Sequence, residues 1–291
     1  MSNAALAPYT LDDFLVVLVL YRIELKDSPS YISLSKGIKQ DQQIDMLVYD
    51  NSPDKNAETK HFEDNRFRIQ YINDPSNPGV STAYNAGISK AAETNKKWIL
   101  FLDQDTTLDE TLLDKFLNEV NTRKDISIFA TTLFGPNKNL ISPSRYFFKR
   151  GFALSKTPTG VCKLDRTRPI NSTVLVATQV FKKAGLYNEN IRLDFSDHEF
   201  FDRVNQQYEH MFVVHSNSFH SLSSSDDTNI EGIKIRFGIF CEGARIASNK
   251  RFVSGFQYFI VCGLRALKLS IKFRTSYFMN TLFKEWTKSK K

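Results

Sequence analysis

Between Phe14 and Leu133 the chain alternates short apolar runs with stretches of helical periodicity, and this alternation restricts the fold more than any other feature. Phe14–Leu20, Ile44–Tyr49, Phe67–Ile72, Trp98–Leu102 and Ile126–Leu133 read as strands, and Val80–Thr94 and Asp109–Arg123 as helices. A strand that is apolar at every position is covered on both faces, which is the condition of strands in a parallel sheet flanked by helices. The expected class is therefore α/β, with a mainly parallel sheet. In such sheets ligands gather beyond the carboxyl ends of the strands. Asp50, the turn-rich segment Asp74-Pro75-Ser76-Asn77-Pro78-Gly79 and Asp103 all fall at such ends.

Beyond Gly135 the pattern loosens. Residues 137–168 read as loops with a short strand around Tyr146–Arg150. A strand at Ile170–Ala177 leads into a helix at Thr178–Ala184, a second helix begins near Asp197, and the chain from Ile230 onward is helical in pattern. The longest early apolar run, Phe14–Tyr21, is eight residues. A bilayer span needs about 20. Asp12 and Asp13 precede that run without a basic segment, so no leader is expected. Three cysteines, Cys162, Cys241 and Cys262, lack metal-ligand spacing and fit a reduced, cytoplasmic protein.

The formal charge of +7 is unevenly placed. Residues 250–291 hold ten basic residues and one acidic residue, a net +9, which leaves −2 for the first 249. A body so nearly neutral, without a recognised nucleic-acid motif, argues against a nucleic-acid-binding protein acting through its basic tail.

Two constellations carry chemistry. Asp103-Gln104-Asp105 follows a buried strand, and carboxylates two residues apart on an extended chain point to one side. Such hard oxygen ligands suit Mg²⁺ or Mn²⁺ held together with substrate phosphates. The plainer reading is a solvated turn with an aspartate capping a helix. The second is Asp194-Phe195-Ser196-Asp197-His198-Glu199, with Arg203 one helical turn beyond Glu199 and placed to pair with it. A carboxylate here can serve as a general base, or simply stabilise the start of a helix through its dipole.

With Tyr49-Asp50-Asn51-Ser52 and Asn77-Pro78-Gly79…Asn85-Ala86-Gly87, these motifs resemble those of the family 2 glycosyltransferases, which have a GT-A fold, and within them a bacterial rhamnosyltransferase-like branch. The resemblance runs from about Phe14 to Leu222. It implies a nucleotide-sugar binding and catalytic domain over residues 10–225, followed by a helical, basic, amphipathic extension over 226–291. It implies a donor site at Tyr21, Asp50, Asn77, Gly79, Asn85, Asp103 and Gln104. Asp50 would read the imide of uracil or thymine, and Leu20 stands where the family usually has a polar residue. A metal, Mn²⁺ or Mg²⁺, would sit on Asp103 and Asp105, with His220 as a further ligand or a diphosphate contact. Asp197 would be the general base of an inverting transfer, supported by Glu199 and Arg203. The implied substrates are a nucleoside-diphosphate sugar, with rhamnose the sugar of the branch, and a surface-polysaccharide acceptor, lipid-linked at the inner face of the membrane. A non-catalytic nucleotide-sugar binding protein is the competing reading, against which stand the intact Asp103, Asp105 and Asp197.

In the tail, Phe252, Phe256, Phe259, Ile260, Leu264, Leu267 and Ile271 recur at helical spacing, with Arg265, Lys268 and Lys272 away from them. Two outcomes fit this stripe. It packs on the catalytic domain, or it meets an anionic membrane surface.

Overall fold

The computed structural model describes residues 7–54, 64–221, 229–248 and 252–288. Leu222, Lys290, Lys291 and the side chain of Phe252 lie outside the described residues. In chain order the first elements are β1 (Phe14–Leu20), α1 (Pro29–Lys36), β2 (Ile44–Asp50), β3 (Phe67–Asn73), α2 (Val80–Glu93), β4 (Trp98–Asp103), β5 (Thr106–Thr107), α3 (Leu112–Thr122) and β6 (Ile128–Phe134). The short strands β7 (Leu140–Ser142), β8 (Ser144–Phe147), β9 (Arg150–Phe152), β10 (Gly160–Lys163) and β11 (Thr167–Arg168) come next. They are followed by β12 (Val174–Ala177), α4 (Thr178–Ala184), α5 (Ser196–Val204), β13 (His210–His220), α6 (Ile230–Ala247), α7 (Phe252–Phe273) and α8 (Tyr277–Thr287).

The main sheet runs in the order β10, β13, β6, β12, β4, β1, β2, β3. Strands β4, β1, β2 and β3 are mutually parallel, and β6 pairs in parallel with β13. Strand β12 is wedged antiparallel between β4 and β6. All seven residues of β1 are buried, as the unbroken apolar run requires. Its register sets Val19 opposite Asp103 and Leu20 opposite Asp50, so the two acidic strand ends flank the end of β1 at one sheet edge.

Helix α1 has no counterpart in the sequence reading. Ser28 accepts the backbone N–H of Tyr31, and Pro29 occupies the first turn, a normal helix start. The positions it buries are Ser30, Ser33 and Ser35 as well as Leu34, so apolar periodicity is missing. The expected helix at Asp109–Arg123 begins at Leu112, because the Asp109 carboxylate accepts from the backbone and hydroxyl of Thr111 and from Lys115 and caps the segment instead. The expected strand at Ile170–Ala177 starts only at Val174. Thr173 has a left-handed φ of +64°, and Asn171 turns away to bond Asp197. The short strand around Tyr146–Arg150 is the turn of the β8–β9 hairpin, with Phe148 and Lys149 both at positive φ.

A second apolar cluster lies under the C-terminal helices, built on Phe237, Cys241, Tyr258, Cys262, Phe278 and Leu282, and it draws in Ile191 and Phe195 from the preceding segment. Helix α2 lies tight on the sheet at Gly87, where an added Cβ would stand 2.3 Å from a methyl of the buried Val17. A core this dense gives little when volume is added. Gly87→Ala is expected to lower stability by about 1–3 kcal/mol, read as a shift in the urea midpoint without a change in slope.

Candidate functional site

Three elements deliver a cluster to the carboxyl edge of the sheet. Strand β4 ends at Asp103, and the turn to β5 carries Asp105. Strand β13 brings His220 alongside by pairing antiparallel with β5, His220 opposite Thr106, with the Ser221 N–H donating to the Asp105 carbonyl at 3.0 Å. One ligating atom from each of Asp103, Asp105 and His220 lies within 4.8 Å of the other two. His220 Nδ1 is 3.4 Å from Asp105 Oδ1 and 2.8 Å from Thr106 Oγ1, which is itself 2.9 Å from Ser172 Oγ. The turn is pinned from beneath by Ser30, whose hydroxyl donates to the carbonyls of Asp103 and Thr106. Burial raises the Asp103 carboxyl above its ordinary value, and Asp105 adds to the rise while His220 opposes it. Two carboxylates and an imidazole so close, with negative charge already disfavoured, form a set that a divalent cation would relieve.

The acidic segment lies within electrostatic reach of this cluster, since the Asp103 charge acts on Asp197. Asp197 lies in the first turn of α5, after Phe195 at a left-handed φ of +70°. Its carboxylate accepts from the Asn171 side chain at 2.6 Å and from the Asn171 backbone at 3.2 Å, and the Asn171 carbonyl oxygen accepts from Tyr187 Oη at 2.9 Å. Burial, with the Asp103 charge second, pushes Asp197 up to about 7. A carboxylate poised there is ionised enough to take a proton and basic enough to hold it. Neighbouring acids are committed elsewhere. Glu199 pairs with Arg203 at 2.8 Å, and Arg203 also donates to the carbonyls of Ala184 and Leu186. Asp194 is gripped by Arg236 at 3.0 and 3.1 Å. Asp202 takes Lys149, Arg168 and Tyr146, which ties the β8–β9 hairpin to α5.

The remaining candidates spread along the same edge. Tyr21, just past β1, is 41% exposed, and its N–H donates to the Gln104 side chain at 2.6 Å. Asp50 is fully buried, its carboxylate accepting from Ser52 and from the Tyr71 hydroxyl. The carbonyl of Asn77 accepts from Arg192. Gly79, at φ +108°, approaches the backbone of Arg192 so closely that a Cβ would stand 2.2 Å from its oxygen. Only glycine fits there. Asn85 spends its amide on the segment ahead of α5, donating to Tyr187 O and Glu189 and accepting from the Tyr187 N–H. The Asn77–Gly87 segment thus holds the segment before α5, which was not evident in the sequence. Also missed were Ser30, Thr106, Asn171 and Tyr187, each a polar side chain whose role depends on a partner more than 15 residues away.

Because Asn171 bonds the ionised form of Asp197, Asn171→Leu is expected to move the Asp197 titration above about 7. Carboxyl-carbon NMR across pH measures this directly.

The family model described as Glycosyl transferase family 2 matches residues 34–179, a span that takes in Asp50 through Asp105. No curated protein matches the chain in sequence. Among solved structures the chain is similar to S. aureus TarS 1–349 in complex with UDP, with TM-score 0.52 and 13% identity over 84% of this chain and 68% of that one. S. aureus TarS itself aligns with TM-score 0.52 and 14% identity over 87% of this chain and 43% of that one. GalNAc-T7 with UDP, GalNAc and Mn²⁺ aligns with TM-score 0.51 and 11% identity over 72% and 43%. At such identities the likeness is one of fold.

Proposed function

The chain belongs to glycosyl transferase family 2, and from this premise we propose that it moves a sugar from a nucleoside-diphosphate donor to a saccharide hydroxyl with inversion, using Asp197 as general base. The observation that carries the reading is the facing of Asp197 and the Asp103–Asp105–His220 cluster, close enough that the Asp103 charge is the second cause of the raised Asp197 pKa. The similar TarS chains bind UDP and UDP-GlcNAc, and GalNAc-T7 binds UDP with Mn²⁺, which supports a nucleotide-sugar donor and a divalent ion. The imidazole among the ligands favours Mn²⁺ over Mg²⁺. When bound, such an ion neutralises charge on the diphosphate leaving group.

The protein's own groups do the rest. Tyr21, the Asn77–Gly79 turn and Gln104 lie along the sheet edge where the nucleotide is proposed to lie, and Asp50, with Ser52 and Tyr71, forms the base end. The Asp197 carboxylate accepts the proton of the acceptor hydroxyl as its oxygen attacks the anomeric carbon from the face opposite the diphosphate. The C1–diphosphate bond breaks as the new C1–O bond forms, and inversion follows from the single displacement. Asn171 holds the carboxylate in place, and the Glu199–Arg203 pair braces the turn before it. Residues 10–225 are proposed to supply this machinery, and helices α6–α8 of the 226–291 extension pack against it at Ile191 and Phe195. The motif resemblance to the rhamnosyltransferase-like branch makes rhamnose the sugar we propose and a lipid-linked surface polysaccharide the acceptor.

Asp197→Asn keeps the shape and removes the base, so transfer should fall by roughly 10²-fold or more while donor binding survives in calorimetry. In the native protein the rate should rise with pH through about 7, because protonated Asp197 cannot accept a proton, and this limb should vanish in the variant. A native rate for Asp197→Asn overturns the assignment.

Asp105→Ala is expected to abolish Mn²⁺-dependent binding of the nucleoside diphosphate and leave the thermal transition near its native value. Unchanged affinity places the ion elsewhere.

A further inference from the structure

Much of the stripe along α7 stays open to solvent among the described residues. The helix buries Tyr258, Cys262 and Ala266, four residues apart, in the second apolar cluster with α6 and α8. Phe259 turns toward Phe283 and Trp286 of α8, but four others of the stripe point outward: Phe256 is 56% exposed, Leu264 57%, Leu267 52% and Ile271 69%. The apolar surface continues onto α8 at Phe283, across a groove of about 240 Å³ lined by Leu264, Leu267, Met279 and Phe283. A row of large side chains open to water is a standing cost unless something covers it.

Charge says what covers it. Lys268 and Lys272 are exposed beside the stripe, and Arg274 and Lys284 are exposed further along α7–α8. Residues 252–288 hold six basic residues and a single acidic one, Glu285, which is buried and engaged by Lys288. A second copy of the chain meeting this face about a twofold axis would bring these cations against their own images. An anionic lipid surface meets both requirements at once, taking the apolar row below its headgroups and the cations at them.

We propose that the outer face of α7, with Phe283 and the adjoining groove of α8, is the surface by which the protein lies on an anionic bilayer. The inner face of the same helix places Tyr258 against Phe195, ring centroids 5.2 Å apart, and Phe195 precedes the turn carrying Asp197. About one helix diameter, ~10 Å, therefore separates the bilayer from the turn that holds the candidate base. That the lipid-borne molecule is the acceptor rests on the function proposed above; the docking itself does not.

The test is co-sedimentation of the full chain with vesicles of phosphatidylglycerol and phosphatidylcholine in equal parts, beside vesicles of phosphatidylcholine alone. Binding is expected to the first and not the second, and it should weaken as salt rises from 0.1 M, where exposed charges are screened over about 10 Å. Leu264→Glu with Leu267→Glu should abolish binding. Lys268→Gln with Lys272→Gln should weaken it by about 30-fold. All four positions are exposed, so the circular-dichroism melts and nucleotide binding of these variants should match the native protein. Equal binding to both vesicles, binding to neither, or a concentration-dependent dimer that Leu264→Glu dissolves would each overturn the proposal, the last in favour of a second copy. Transfer to a soluble acceptor is read separately, so loss of the enzymatic reading and loss of docking are distinguishable.

Discussion

The burial of β1 between β2 and β4 is the constraint on which the site depends. Seven apolar residues in a row leave no face for water, and parallel pairing on both sides satisfies every backbone group of the strand. Pairing in register on both sides places the ends of β2 and β4 together. Asp50 and Asp103, 53 positions apart, become the register partners of adjacent residues, Leu20 and Val19. Every further part of the site is added to that edge, His220 through a two-residue strand pairing and Asp197 through the first turn of a helix.

The electrostatics follow from the same burial. Asp103 and Asp197 are both raised chiefly by desolvation, and Asp103 raises Asp197 further. One arrangement thus disfavours negative charge on both Asp103 and Asp197. The hydrogen bonds from Asn171 offset part of that cost at Asp197 and fix where its oxygens point.

Much of this could be read from the sequence, for identifiable reasons. Strands β1, β2 and β4 follow from apolar pattern, because covered parallel strands have no polar face to confuse the reading. The acids at the strand ends and the Glu199–Arg203 pair were legible because sequence spacing sets their geometry. Helix α1 was not, because serines occupy its buried side. Strand β13 was not, because its second half buries Ser216 and Ser218 where apolar residues would mark a strand. The partners of Asp197 and His220 were hidden for a different reason: Asn171 and Thr106 acquire their roles only from distant residues. The tail stripe was visible as a stripe, yet periodicity cannot say which side of a helix turns inward. Helix α7 buries Tyr258, Cys262 and Ala266 and leaves Phe256, Leu264, Leu267 and Ile271 outside.

Phe195 carries a consequence of its own. A left-handed conformation at a bulky residue costs of order 1–3 kcal/mol and persists only where its surroundings hold it. Here the rings of Phe240 and Tyr258 do so, at 4.7 and 5.2 Å. During synthesis the ribosome completes the Asp103–Asp105–His220 cluster by residue 220, but the aromatic wall that locks Phe195 arrives only with residues 240 and 258. The nascent chain therefore holds the acidic cluster before the rings that pack on Phe195. Messages cut short between those points would yield a polypeptide that holds Asn171 and Asp197 but lacks the rings that wall Phe195.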